Sequence, residues 1–216
     1  MKTLIFDLDN TVYKPCEKID DQFNSKISTF LQAKLNISLP DAFDLQQKYY
    51  IKHGSTLIGL MENHQICPYD YDKFVHDLDV SSIPYNKKIS DFLANYSGKK
   101  YIYTNASTRH AEKVLAHMKL DKYFDDIYDI FAAELEPKPA LAPYNKFLDL
   151  YAINPKQAIM FEDLPQNLQT ADSLGVTTVL VNTITDHKQG YIHHTTNDLG
   201  SWLHENDVLT KKHTAN

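Results

Sequence analysis

Cysteine is nearly absent: the 216-residue chain has only Cys16 and Cys67. They lie far apart and form no CxxC pair, which excludes a disulfide framework and a thiolate metal knot. A reducing, intracellular setting fits this usage. An excess of positive charge is also missing. Lys and Arg total 22 against 28 Asp and Glu, a net charge of −6. General nucleic-acid binding needs a basic face, so that class is set aside. A small anionic substrate stays possible, because a local site can be cationic on an acidic protein. No apolar run approaches the ~20 residues of a membrane span. The apolar start, Leu4-Ile5-Phe6 after Lys2, is cut short by Asp7 and Asp9, too early for a secretory signal. There is no internal repeat and no low-complexity tract. What remains is a cytoplasmic chain of ordinary balance, 43% hydrophobic and 23% charged. Its length allows one sizeable core, or a core with a small insert.

Short apolar runs mark strands at Thr3–Leu8, Lys100–Thr104, Ile127–Ala132, Ala158–Phe161 and Thr177–Val181. Most are nearly continuous rather than alternating, as in parallel strands buried on both faces. Helical stripes lie between the later ones: Ala111, Val114, Leu115 and Met118; Leu141, Tyr144, Phe147, Leu148 and Tyr151; Leu168, Ala171 and Leu174, with Gly175 at a C-cap. The expected fold class is α/β, a Rossmann-like parallel sheet flanked by helices. Residues 16–83 break the rhythm with an all-helical insert, the core being 1–15 and 84–216. Stripes run through Ile19, Phe23, Ile27, Phe30 and Leu31, then Phe43, Gln46, Tyr49 and Tyr50, then Phe74 and Leu78. Ile83-Pro84-Tyr85 reads as the return hinge. Leu199, Trp202 and Leu203 suggest a terminal helix docked on the core, with fraying beyond Thr210.

Ligands in open parallel sheets bind beyond the carboxyl ends of the strands. Four polar groups fall there. Asp7-Leu8-Asp9-Asn10-Thr11 closes the first strand. One carboxylate could attack phosphorus, and the other could pass a proton to the leaving oxygen. A capped turn is the plainer use of such residues. Thr104-Asn105 closes the second strand and could hold a phosphoryl oxygen, or simply cap a helix. Lys138, between Pro137 and Pro139, could neutralise a phosphate. Glu162-Asp163 suits Mg²⁺, which takes a few carboxylates and several waters. Coincidence in order at four strand ends favours phosphoryl transfer through a carboxylate.

These four motifs resemble, in order and over nearly the whole chain, the haloacid dehalogenase-like hydrolases. Tyr49-Tyr50-Ile51-Lys52-His53-Gly54-Ser55-Thr56-Leu57-Ile58-Gly59-Leu60 is similar to the cap of the pyrimidine 5′-nucleotidase branch. So are Phe74-Val75-His76-Asp77-Leu78-Asp79 and Thr104-Asn105-Ala106-Ser107 with His110. The resemblance implies a Mg²⁺-dependent phosphatase with Asp7 as nucleophile and metal ligand. It implies Asp9 as general acid and base, lending its backbone carbonyl to the metal. Thr104, Asn105 and Lys138 would hold the phosphoryl group, Asp163 would bind the metal, and Glu162 would ligate through water or support it. The helical insert would be a cap closing over substrate. The family more often has Asp-Asp followed by Ser, whereas Glu162-Asp163-Leu164-Pro165 lacks the hydroxyl. Which residue steadies Lys138 is thereby open.

The implied substrate is a small phosphate monoester, first a pyrimidine nucleoside 5′-monophosphate. The alternatives are a sugar phosphate or pyridoxal phosphate, a mutase activity, or a catalytically silent nucleotide-binding regulator. Neither nucleic acid nor membrane is an expected partner. Tyr50, His53 and Thr56 are the cap residues placed to face a base; core packing for Tyr50 and a solvent face for His53 are the alternative. His64, His76, His193 and His194 have no ligand-spaced partners and read as surface or loop residues.

Overall fold

The computed structural model describes residues 1–183 and 189–206; the fraying expected beyond Thr210 lies outside them. The chain divides into two compact units, Met1–Pro15 with Ile83–Asn216, and Cys16–Ser82. Among the described residues the strands are β1 (Thr3–Phe6), β2 (Lys100–Tyr103), β3 (Asp126–Tyr128), β4 (Ala158–Glu162), β5 (Thr177–Val181) and β6 (His194–Thr196). The helices are α1 (Glu17–Leu35), α2 (Leu39–His53), α3 (Thr56–His64), α4 (Pro68–Val75), α5 (Lys87–Asn95), α6 (Thr108–His117), α7 (Leu141–Leu150), α8 (Pro165–Ser173) and α9 (Leu199–Glu205).

All strands lie in one sheet of order β3-β2-β1-β4-β5-β6, and every pair is parallel. The lack of alternation in the sequence now has its cause. Ile5, Tyr101, Tyr103, Met160 and Leu180 share one cluster with Tyr144 and Phe147 of α7 and Leu168 of α8. The intervening side chains face the other way. Phe161 meets Trp202 of α9 edge-on at 5.3 Å, and Phe6 meets Phe124 at 5.7 Å. Both faces are therefore covered. Each such apolar side chain contributes about 1.5–3 kcal/mol on burial. Trp202 and Leu203 of α9 are buried, as the terminal stripe predicts.

Two elements differ from the sequence expectation. The run Ile127–Ala132 is a strand only through Tyr128. Asp129 stops it by bending the chain: its Oδ1 accepts the N–H of Phe131 at 3.1 Å and of Ala132 at 2.8 Å. A side chain that bonds its own backbone competes with the ladder. The last strand, β6, is too short and too polar (His194-Thr195-Thr196) to register as an apolar run. His194 thus belongs to the sheet rather than a loop, with its ring 5.6 Å from that of Trp202.

The helical unit is built on amphipathic faces. Ile19, Ile27, Phe30 and Leu31 of α1 are buried, and Phe30 meets Tyr71 of α4 edge-on at 5.2 Å. In α2 the buried face is Ala42, Gln46 and Tyr49, while Phe43 and Tyr50 are exposed. Gln46 and Tyr49 of the expected stripe are buried, and Ala42 holds the buried position expected of Phe43. Ser38 caps α2 by accepting the Asp41 N–H at 3.3 Å, and Gly54 ends it at φ 70°. Gly59 of α3 faces Tyr49 so closely that a Cβ there would lie 2.3 Å from the Tyr49 ring. No helix among the described residues is long and apolar enough to cross a membrane.

Candidate active site

Asp7 follows β1 directly. Its N–H donates to the Phe161 carbonyl at 2.9 Å, which extends the β1–β4 ladder by one residue. Phe6 is in register with Phe161, so Asp7 and Glu162 emerge side by side at the carboxyl edge of neighbouring strands. The chain builds β2 and β3 on one side of β1, then returns to build β4 on its other side. A crevice opens at such a reversal, and it is where open parallel sheets bind ligands.

Lys138 occupies the floor of this edge. Its Nζ donates to Asp7 Oδ1 at 2.8 Å, to Glu162 Oε2 at 2.7 Å and to the Tyr103 carbonyl at 2.9 Å. All three ammonium protons are thus used. The backbone around it is clamped by Asn105, whose Oδ1 accepts the Lys138 N–H at 2.8 Å and whose Nδ2 donates to the Lys138 carbonyl at 3.2 Å. The Lys138–Pro139 peptide is cis. Glu162, through its other oxygen, accepts the Leu164 N–H at 3.2 Å. The residue that steadies Lys138 in place of a hydroxyl is therefore Glu162 itself, helped by the Tyr103 carbonyl.

The electrostatics follow from burial. Loss of water and the neighbouring Glu162 carboxylate push Asp7 up to about 7, against the pull of Lys138. Burial pushes Glu162 up to about 7, with Lys138 opposing. It pushes Asp163 up to about 6, with Asp7 adding to the effect. Burial disfavours charge on Lys138 too, but Asp7 and Glu162 outweigh it and hold the lysine above its ordinary range. Ligand atoms of Asp7, Glu162 and Asp163 all lie within 4.8 Å of one another. Three carboxyls sharing one ammonium leave surplus negative charge in a buried place. Clustered oxygens with such a surplus fit a hard divalent cation.

Asp9 lies near enough to add to the upward push on Asp7, and it has its own partners. Its Oδ1 accepts from the Tyr13 hydroxyl at 2.6 Å and from His110 Nε2 at 2.8 Å. The turn between them is tied to β5, where Asn182 Nδ2 donates to the Asn10 carbonyl. Thr104 directly follows β2, and its Oγ1 accepts the Ala106 N–H at 3.0 Å, which leaves its O–H to donate. The structure thus gathers Asp7, Lys138, Asn105, Glu162 and Asp163, with Asp9 and Thr104 on the same strand ends. Tyr50 and His53 belong to the other unit. There Tyr50 is 53% exposed. His53 is tucked in, with Nδ1 3.3 Å from Glu62 Oε2 and its ring 5.8 Å from that of Tyr49. This reverses the alternative of a packed Tyr50 and a solvent-facing His53: His53 follows Tyr49 by one turn and shares its buried face, which Tyr50 does not. Thr56 is buried, with Oγ1 3.5 Å from the Gln46 carbonyl.

Sequence reasoning did not assign Tyr13, Asn182 or Asp129 to the site, and it placed His110 only as a point of likeness. Two signals could have found some of them. Tyr13 lies four residues after Asp9, and Asn182 closes the fifth apolar run just as the other site residues close theirs.

Comparison with known proteins bears on the fold and the family. Residues 4–181 match the family model described as haloacid dehalogenase-like hydrolase. Phosphate metabolism protein 8 of Saccharomyces cerevisiae is 26% identical over 195 residues, covering 81% of this chain and 60% of the yeast protein. The chain therefore spans about 60% of that relative's length. The crystal structure of a HAD phosphatase from Thermococcus onnurineus superposes with a TM-score of 0.66 at 20% identity, over 95% of this chain and 97% of that one. CbbY from Rhodobacter sphaeroides, solved in complex with phosphate, gives 0.66 at 15% identity, over 94% and 96%. Likeness at these identities establishes the fold, and the family match covers most of the sequence: the chain belongs to the haloacid dehalogenase-like hydrolases.

Proposed function

We propose that the protein is a Mg²⁺-dependent phosphatase of small phosphate monoesters that works through an aspartyl-phosphate on Asp7. The observation that carries this reading is the Lys138 ammonium, 2.8 Å from a buried Asp7 carboxylate and 2.7 Å from Glu162. A buried carboxylate oriented by a cation is set up to meet an anionic substrate head-on. Mg²⁺ bound at Asp7, Glu162 and Asp163 would lessen the repulsion between phosphate and attacking carboxylate. Asp7 Oδ attacks phosphorus in line, the ester P–O bond breaks, and Asp9 protonates the leaving oxygen. Asp9 then takes a proton from water, which attacks the same phosphorus and frees Asp7. The Thr104 hydroxyl and the Asn105-clamped backbone hold the phosphoryl oxygens, and Lys138 takes part by exchanging one of its three protein contacts for a phosphoryl oxygen. The carboxyl at Asp9 favours esters over halides, since a halide leaves without a proton.

A nucleoside 5′-monophosphate, pyrimidine first, is the substrate class that the branch-like segments in α2, α3 and the residues after α4 support. Tyr50, with its exposed ring, and His53 are the base contacts this reading nominates. The likeness to a phosphatase and to a phosphate-bound structure supports phosphate as the reacting group. The test is Mg²⁺-dependent phosphate release from UMP, CMP, AMP, nicotinamide mononucleotide and pyridoxal phosphate, by the wild type and by Asp7→Asn. Turnover of UMP or CMP above the rest, lost in Asp7→Asn, is expected. Unchanged release by the variant, or none by the wild type, overturns the reading.

A further inference from the structure

The phosphatase reading, on which this inference rests, asks Asp9 to hand a proton to the leaving oxygen from one particular direction. Two donors from separate parts of the fold converge on a single oxygen of that residue. The Tyr13 hydroxyl reaches Oδ1 at 2.6 Å and His110 Nε2 reaches it at 2.8 Å. With the imidazole hydrogen on Nε2, His110 donates and Asp9 Oδ1 accepts. The His110 side chain is 2% exposed, while that of Asp9 is 36% exposed. A buried donor therefore grips a partly exposed acid.

The grip is itself anchored. His110 lies in the first turn of α6, where its N–H donates to Ser107 Oγ at 3.3 Å. Beside it, Thr108 donates to Asp129 Oδ2 through its N–H at 2.7 Å and its hydroxyl at 2.9 Å. Asp129 in turn binds the backbone of its own turn through Oδ1. The bend after β3 thus fixes the start of α6, and the start of α6 fixes the imidazole. Tyr13 comes from the turn after β1 that also carries Asp9.

The geometry points to His110, together with Tyr13, as a positioning residue that holds the Asp9 carboxyl in one orientation. In the first step the P–O bond to Asp7 forms, the P–O bond to the ester oxygen breaks, and the ester oxygen, keeping that electron pair, takes the proton from Asp9. In the second step water attacks phosphorus and gives a proton to Asp9, the P–O bond to Asp7 breaks, and phosphate leaves.

A misplaced acid harms esters unequally. A nucleoside 5′-alkoxide needs its proton as the bond breaks, whereas 4-nitrophenolate leaves well without one. The measurement is kcat/KM with Mg²⁺ for UMP and for 4-nitrophenyl phosphate, which reports the chain of events up to formation of the aspartyl-phosphate. His110→Leu is expected to lower kcat/KM roughly 10–100-fold more for UMP than for the aryl ester, part of the range a placed acid supplies. His110→Gln, which keeps an N–H donor at similar reach, is expected to restore most of the difference. Tyr13→Phe is expected to show a smaller loss with the same preference, and it carries the test if His110→Leu does not fold by circular dichroism. Equal losses on the two esters, or no loss, overturn the assignment while leaving the phosphatase reading in place. A wild type that releases phosphate from neither ester removes both.

Discussion

Lys138 Nζ sits 2.8 Å from Asp7 Oδ1 and 2.7 Å from Glu162 Oε2, although 131 residues separate the lysine from the first acid and 24 from the second. One ammonium joins the ends of two neighbouring strands. Its removal tests both the stability of that edge and its chemistry.

Lys138→Met strands two carboxylates in a buried place. Breaking a buried ion pair from one side costs about 3–5 kcal/mol. The thermal midpoint is expected to fall clearly at pH 8 and less at pH 5, where Asp7 and Glu162 can protonate. A calorimetric scan at both pH values reads this directly. Equal midpoints for variant and wild type at pH 8 would show that Lys138 is not the counter-charge of the cluster.

The acid cluster also predicts how stability varies with pH and metal. Asp7 and Glu162 are raised to about 7 and Asp163 to about 6, from ordinary values of 3.8, 4.5 and 3.8. Raised carboxyls bind protons more tightly when folded, so the metal-free protein loses stability as pH rises from about 4 to about 7. Mg²⁺ binds the deprotonated carboxyls and offsets that loss. The midpoint increase on adding Mg²⁺ is expected to be larger at pH 8 than at pH 5, with no turnover involved. The same increase at both pH values, or none, contradicts the cluster as the metal site.

Asn105→Ala removes both side-chain bonds to the backbone of Lys138, at 2.8 and 3.2 Å. Unpaired groups left there cost about 1–3 kcal/mol. A lysine displaced by a fraction of an ångström costs more in rate than in substrate affinity, by roughly 10²-fold for a 1 Å shift. Steady-state kinetics should show kcat falling further than KM rises. A change in KM alone would place Asn105 on the substrate rather than behind Lys138.

Gly59→Ala tests the helical unit independently of the active site. The added Cβ would lie 2.3 Å from the Tyr49 ring. Overpacking of this kind costs about 1–3 kcal/mol. A lowered midpoint for the Cys16–Ser82 unit, followed by hydrogen exchange of α2 and α3, is the expected result. Unaltered protection there would mean that the two helices part at little cost.

Much of the sheet was legible because its strands are buried on both faces and so read as near-continuous apolar runs. The site was legible to nearly the same extent, since Asp7, Thr104 and Glu162 follow or close those runs, while Lys138, well past the end of β3, stood out only by its flanking prolines. Other parts were not. β6 has three polar residues, and Asp129 halts β3 through its side chain, neither of which an apolar pattern reports. The face of α2 was only half legible, because Ala42, a small side chain, holds a buried position next to the larger, exposed Phe43.

The sequence by itself determined the α/β core, the helical insert and the carboxyl-edge placement of the acids, because periodicity and strand ends are local properties of the chain. Only the tertiary structure decided that Glu162 serves Lys138, and that Tyr13 and His110 meet on one oxygen of Asp9. Those contacts join residues 24 and 101 positions apart, as in Lys138–Glu162 and Asp9–His110. Such pairings are set by strand order and helix anchoring, which no local pattern encodes.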